Sequence, residues 1–267
     1  RVGILLYNRV EYWLAYLAIT RLGAIAVRLN FRLSAEELVY ALTDSGASIL
    51  LAERDLLKRL EGSRDRIDIR HYVAFPNIEE STEAVPAWAK DASILEEGAA
   101  AEPDLPLPKP DMPAMLMYTS GTTGRPKGAL WAHGTTTWWA AMQALEWNLT
   151  PSTVTMITGP MYHIGGLENY ALPTLAVGGR VVILRSGNFG IKRTLEIASR
   201  QKVTDILLFP TMIYQMLEEG GIDDLDLSSI RRVFSGGDPL LPSAIVQMQE
   251  RFGWMDIVQV YGLTEGT

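Results

Sequence analysis

An α/β fold of layered parallel and mixed sheets flanked by helices is what this sequence predicts, on three observations. Short apolar runs alternate with amphipathic stretches along most of the chain. The first fifty residues already hold a complete β-α-β-α-β series. A composition of 48% hydrophobic and 21% charged residues over 267 positions supplies a sizeable core.

The elements follow in order. Val2–Leu6 reads as a strand, Glu11–Leu22 as a helix stopped by Gly23, and Ala24–Val27 as the next strand. Ser34 and Glu37 have the spacing of a capping box, which predicts a helix running toward Thr43. Ala47–Ala52 is a strand again. Between Pro76 and Pro113 the chain carries Pro86, Pro103, Pro106, Pro108 and Pro110 among acidic residues, and its second half reads as an extended surface connection. From Ala114 the alternation resumes, with strands expected at 114–118, 128–131, 153–158, 180–184, 204–209, 231–235 and 257–261. Helices are expected at 135–147, 165–176, 191–201, 211–219 and 242–252. The domain reading is a first α/β subdomain over 1–75, a Pro-rich connection over 76–113 and a second α/β subdomain over 114–267.

Composition also excludes functions. A net charge of −7 without clustered Lys or Arg argues against nucleic acid. The chain contains no cysteine, so disulfides, thiol nucleophiles and thiolate metal sites are absent from it. His71, His133 and His163 lie too far apart for a zinc spacing. No apolar run approaches the roughly 18 residues of a spanning helix. A reducing, cytoplasmic setting is expected, with peripheral membrane contact and oligomerisation left open. The chain opens at Arg1 on the apolar run VGILL and stops at Thr267 just past YGLTEG, which reads as a piece of a longer protein.

The chemistry concentrates in YTSGTTGRPKG, residues 118–128. An apolar strand, Met115–Tyr118, runs into it, and ligands of open α/β sheets gather at strand ends. Glycines let the backbone turn with positive φ, and successive free N–H groups form a nest for phosphate oxygens. Thr119, Ser120, Thr122 and Thr123 add hydroxyl donors, Gly121 and Gly124 the turns, and Lys127 a full positive charge. These residues form a candidate polyphosphate cradle, although a surface hairpin turn uses a similar composition. The Walker loop is excluded by spacing, since it needs four residues between Gly and Gly-Lys with Ser or Thr next. Here only two residues separate Gly121 from Gly124, and Lys127 follows Pro126.

As a complete string YTSGTTGRPKG resembles the phosphate-loop signature of the adenylate-forming enzymes, the family of acyl-CoA synthetases, firefly luciferase and peptide-synthetase adenylation domains. Three more stretches are similar to that family. QVYGLTE (259–265) resembles its Tyr-Gly-x-Thr-Glu signature. SGGDPL (235–240) resembles its Gly-Gly-x-Pro segment, and PMYHIGG (160–166) its Pro-x-aromatic-His-x-x-Gly stretch. The opening fifty residues also resemble the family's early helix-strand stretch.

The resemblance implies the large N-terminal domain of the adenylate-forming fold, incomplete. It implies ATP, Mg²⁺ and coenzyme A as reactants or cofactors and a fatty or aryl carboxylic acid as substrate. Tyr261 and Gly262 would serve the adenine, Thr264 a phosphate, and Glu265 the magnesium. Gly236, Gly237, Asp238 and Pro239 would line adenine and part of the acid site. His163 would border the acid, making Lys127, His163, Thr264 and Glu265 the catalytic candidates. Trp131, Trp138, Trp139 and Tyr162 are candidates for the acid pocket. Two half-reactions are implied: formation of an acyl-adenylate and pyrophosphate, then displacement of AMP by a thiol. Two unit charges ~4 Å apart interact by ~4 kcal/mol at an effective dielectric of ~20, so an anion approaching a triphosphate needs cations and aimed donors.

The resemblance also places a ribose-binding aspartate, a hinge, a lysine-bearing C-terminal domain and the CoA site outside this chain. Alone it is therefore expected to be inactive or weakly active. A nucleotide- or acid-binding homologue without chemistry stays open. So does a peptide-synthetase adenylation domain, for which Glu168 would hold the amino group.

Overall fold

The computed structural model describes every residue except 79–83, 98–103, 120–123, 188 and 267. It divides into two compact units, residues 1–137 and 138–266.

The first unit is built on a seven-stranded sheet of order β5-β4-β3-β1-β2-β6-β7. Its elements are β1 (Val2–Leu5), α1 (Val10–Arg21), β2 (Ala26–Arg28), α2 (Ala35–Ser45), β3 (Ile49–Glu53), α3 (Arg54–Lys58), β4 (His71–Phe75), β5 (Lys90–Asp91), β6 (Pro113–Thr119) and β7 (Lys127–Ala132). All neighbours are parallel except β6 and β7, which form an antiparallel pair. The predicted capping box is present: Ser34 Oγ accepts from the Glu37 amide while the Glu37 carboxylate accepts from the Ser34 amide. Gly46, in the left-handed region at φ 62°, ends α2. Leu38 and Leu42, one turn apart on α2, pack with Leu5, Val27, Leu50 and Leu56 in the core of this unit.

The second unit carries a five-stranded, wholly parallel sheet of order β12-β11-β10-β8-β9. The strands are β8 (Val154–Ile157), β9 (Arg180–Ile183), β10 (Asp205–Leu207), β11 (Arg232–Gly236) and β12 (Asp256–Val260). The helices are α4 (His133–Glu146), whose first turn belongs to the first unit, α5 (Leu172–Ala176), α6 (Ile191–Gln201), α7 (Pro210–Glu218) and α8 (Pro242–Arg251). Pro210 and Pro242 each open their helix, where a missing N–H costs nothing. Ile191, Thr194, Leu195 and Ala198 are the buried stripe of α6, at helical spacing. Ile191, Leu195 and Ala198 pack with Ile206, Val233 and Met248.

Two expectations need correction. The stretches 114–119 and 127–132, read as part of the second subdomain, are strands of the first sheet, because β6 pairs with β2 through Ala26↔Met115 and β7 with β6. Within the stretch read as a Pro-rich connection, Lys90–Asp91 pairs with β4 as an edge strand. Strand β4 was not anticipated. It is a five-residue run opening on an exposed His71 behind a polar segment, too short to declare its period.

Candidate functional site

In the first unit the candidate phosphate loop is the connection of the β6–β7 hairpin. Thr119, the last residue of β6, stands opposite Lys127, the first of β7, and Tyr118 opposite Gly128. Ser120, Gly121, Thr122 and Thr123 lie outside the described residues. Gly124 has φ 150°, a conformation side chains rarely adopt, and Lys127 is exposed. The stems are held by α2. The Tyr118 hydroxyl donates to Asp44 Oδ2 at 2.7 Å, and the Tyr40 hydroxyl donates to the Pro126 carbonyl at 3.0 Å. Partial burial, and then the Asp44 carboxylate, push the Tyr118 phenol well above its ordinary range. It therefore stays a neutral donor.

In the second unit the parallel strands place their carboxyl ends along one edge of the sheet, where α/β proteins take ligands. Neighbouring β11 and β12 are in register at Gly236↔Val260, so Gly237–Pro239 and Tyr261–Glu265 leave the sheet side by side. Gly237 has φ 88°, and the Asp238 carbonyl accepts from Gln259 Nε2 at 3.1 Å, tying the two exits together. Tyr261 is 93% exposed, Gly262 and Glu265 are exposed, and Thr264 is buried. Beneath them the hydroxyl of the fully buried Ser235 has no hydrogen-bond partner among the described residues.

His163 follows β8 on the same edge. It is exposed, and its Nδ1 accepts from the Gly165 amide at 3.1 Å. With Nδ1 committed as acceptor, the neutral ring carries its proton on Nε2. Between the exits of β8 and β11 lies Phe209, which sequence reasoning missed. A β-carbon on Gly159 would lie 3.0 Å from its ring and one on Gly237 3.7 Å away. The missed signal was those two glycines just past the ends of β8 and β11, the strands flanking β10.

The aromatic candidates separate. Trp131 is a buried core residue of the first unit and Trp138 is 69% exposed. The indole N–H of Trp139 donates to Asn169 Oδ1 at 2.9 Å, on the π-helical segment Leu167–Ala171, and Tyr162 is half-buried. Glu168, on that same segment, is fully buried. Among the described residues no cluster of three or more acidic or histidine side chains can hold a metal alone. Glu265 fits a magnesium that arrives on phosphate oxygens, since Mg²⁺ commonly takes one or two carboxylates plus substrate phosphates.

The two sheets, one mixed and one wholly parallel, with their helices and glycine-rich strand exits define an α/β protein of the kind that takes ligands at strand ends. A family model described as AMP-binding enzyme matches residues 1–267, and the chain belongs to that family. Among similar proteins, an indoleacetate–CoA ligase of Aromatoleum aromaticum is 32% identical over 99% of this chain and 50% of its own length. A feruloyl-CoA synthase of an Amycolatopsis species is 33% identical over 99% of this chain and 49% of its own length. The crystal structure of the anthranilate CoA ligase AuaEII with anthranoyl-AMP superposes with a TM-score of 0.88 at 25% identity, over 99% of this chain and 50% of that one. The N-terminal domain of FACL13 from Mycobacterium tuberculosis shares the fold, with a TM-score of 0.82 at 24% identity over 99% and 63% of the two chains. The chain thus spans about half the length of the curated relatives it matches. Among the described residues no helix is long and apolar enough to cross a membrane.

Proposed function

We propose that this chain is the nucleotide- and acid-binding part of an AMP-forming acid–CoA ligase that acts on aryl rather than fatty acids. The observation that carries the nucleotide reading is the pairing of Gly236 with Val260. It sends the glycine exit of β11 and the aromatic-acidic exit of β12 from adjacent strands at the edge where such sheets bind ligands. The aryl preference is supported by the names of the relatives, ligases of indoleacetate and ferulate. The cysteine-free composition suits a reducing cytoplasm.

Each residue then has a task. Tyr261 offers an unobstructed aromatic face for adenine. Thr119 and Lys127 donate to phosphate oxygens from opposite stems of the hairpin, with Ser120–Gly124 between them. Thr264 donates to a phosphate, and Glu265 would hold a magnesium ion, whose charge would offset that of the triphosphate. His163, with its Nε2–H directed by the Nδ1 acceptor bond, borders the acid. The carboxylate oxygen attacks the α-phosphorus, the bond to pyrophosphate breaks, and an acyl-adenylate results. The CoA thiolate then attacks the acyl carbon and AMP leaves. The buried Glu168 does not present its carboxylate at the surface, so it gives no support to an amino-acid substrate.

Pyrophosphate release by the full-length protein tests the reading, with indoleacetate, ferulate and anthranilate set against a series of fatty acids. Aryl-dependent release and thioester formation are expected, while this chain alone binds acyl-adenylate with little turnover. Faster turnover of fatty acids would overturn the aryl assignment. Tight adenylate binding with no pyrophosphate from any acid would identify a non-catalytic binding homologue.

A further inference from the structure

We infer that helix α2 is a positioning element for the phosphate loop, gripping both stems of the β6–β7 hairpin through Tyr40 and Asp44. The inference rests on the reading that Thr119 and Lys127 donate to the phosphates. Residues 40 and 44 are one helical turn apart and face the same way. Asp44 receives the Tyr118 hydroxyl at 2.7 Å, immediately before Thr119 on the rising stem. Tyr40 donates its hydroxyl to the Pro126 carbonyl at 3.0 Å, immediately before Lys127 on the descending stem. The Arg125 guanidinium lies 5.7 Å from the centre of the Tyr40 ring, and the Tyr40 and Tyr118 rings meet edge-on at 6.1 Å. One turn of one helix therefore holds the residue preceding each of the two donors.

The helix suits a fixed post. Its start is closed by the reciprocal Ser34–Glu37 bonds, its end by Gly46, and Leu38 and Leu42 seat it in the core. Asp44 is exposed and adds no packing of its own, so a purely structural role explains its placement poorly. Stems held before the nucleotide arrives spare binding the entropy of ordering them, which raises affinity without any new contact to the ligand. Tyr40 and Asp44 touch no ligand in this scheme. They are positioning residues.

The test measures ATP affinity and KM in the full-length protein, with hydrogen exchange at the amides of Gly124, Arg125, Lys127 and Gly128 in the absence of nucleotide. Asp44→Ala and Tyr118→Phe are each expected to weaken ATP by roughly three- to tenfold, a range set by a charge-assisted bond partly shared with water. The same variants should speed exchange at the stems, while kcat at saturating ATP stays within twofold. Combining them should cost no more than one alone, and Asp44→Asn, which keeps an acceptor for the tyrosine, should stay near wild type. Tyr40→Phe supplies an independent route through the other stem should Asp44→Ala fold poorly. Unchanged exchange and unchanged ATP affinity, in a protein that Lys127→Ala does impair, would overturn the grip and leave the phosphate reading standing. Absence of ATP binding by wild type, or a harmless Lys127→Ala, would remove that reading and this inference with it.

Discussion

Gly236 and Val260 approach so closely that a β-carbon on the glycine would lie 2.7 Å from the valine carbonyl oxygen. The two residues are paired across β11 and β12, so the obstacle is backbone in a sheet ladder and cannot swing aside. Gly236→Ala is expected to cost roughly 2 kcal/mol through forced separation of the strand ends. Gly262 is the contrast, because a β-carbon there meets nothing within 4 Å among the described residues. Gly262→Ala should leave stability within about 0.5 kcal/mol, so any loss of nucleotide binding would report ligand contact. Urea unfolding of both variants checks the pair. Equal stability would show that the ladder opens more easily than its geometry implies.

Asp205 is fully buried at the start of β10 and accepts from Thr204 Oγ1 at 2.6 Å, Arg232 Nη1 at 3.0 Å and Arg231 Nε at 3.2 Å. Removing the carboxylate leaves the mostly buried Arg232 with less compensation. Asp205→Ala is expected to cost about 3 kcal/mol. Lys202→Ala, which breaks the solvent-exposed pair with Asp226, should shift the unfolding midpoint too little to resolve. A silent Asp205→Ala would mean that water replaces the lost partner.

His133 opens α4 with Nε2 buried and without a partner among the described residues. Burial holds its pKa below the ordinary value of 6.5. Between the folded and unfolded values the unfolded chain binds more protons, so stability rises with pH across that window. The contribution is complete above 6.5 and disappears as pH falls through the lower folded value. Wild type should therefore lose more stability from pH 7.5 to pH 5.5 than His133→Gln does. Parallel pH profiles for the two proteins would rule out a buried neutral imidazole as the cause.

Local signals made much of this legible. Helix α2 could be placed because Ser34 and Glu37 write a capping box into the sequence, and α7 and α8 begin at Pro210 and Pro242, within a residue of the expected 211 and 242. Apart from β4, whose five residues are too few to show a period, what escaped was nonlocal. Nothing near Ala114 announces that its strand joins β2, since parallel pairing is decided by contacts far apart in sequence. The motif residues Gly236, Tyr261 and Lys127 were found by their letters. Phe209, Tyr40 and Asp44 were not, because their roles exist only once strands and helices are laid side by side.

Lys127 is exposed at the head of β7, so its charge is available to a ligand and adds little to folding. A lysine serving the outer phosphates distinguishes ATP from AMP. Lys127→Ala is expected to weaken ATP by about tenfold and AMP by less than twofold, with an unchanged thermal midpoint. The ATP effect should shrink at high salt. Calorimetry with both nucleotides checks it, and equal losses would move the lysine away from the β- and γ-phosphates.

Tyr261 stands 93% exposed immediately after β12, where an aromatic ring gains nothing from the core. The hydrophobic effect gives no reason to hold it there, whereas the proposed stacking on adenine would. Stacking of a base on an aromatic side chain is worth about 1–3 kcal/mol, so Tyr261→Ala should weaken AMP by roughly tenfold or more. Tyr261→Phe keeps the ring face and loses only the hydroxyl. It should bind AMP within about twofold of wild type if stacking is the interaction. Neither change should move the thermal midpoint, because neither removes a buried contact. If Tyr261→Phe were as damaging as Tyr261→Ala, the phenol oxygen rather than the ring would be the recognised group. Unimpaired AMP binding by Tyr261→Ala would place the adenine somewhere other than the exit of β12.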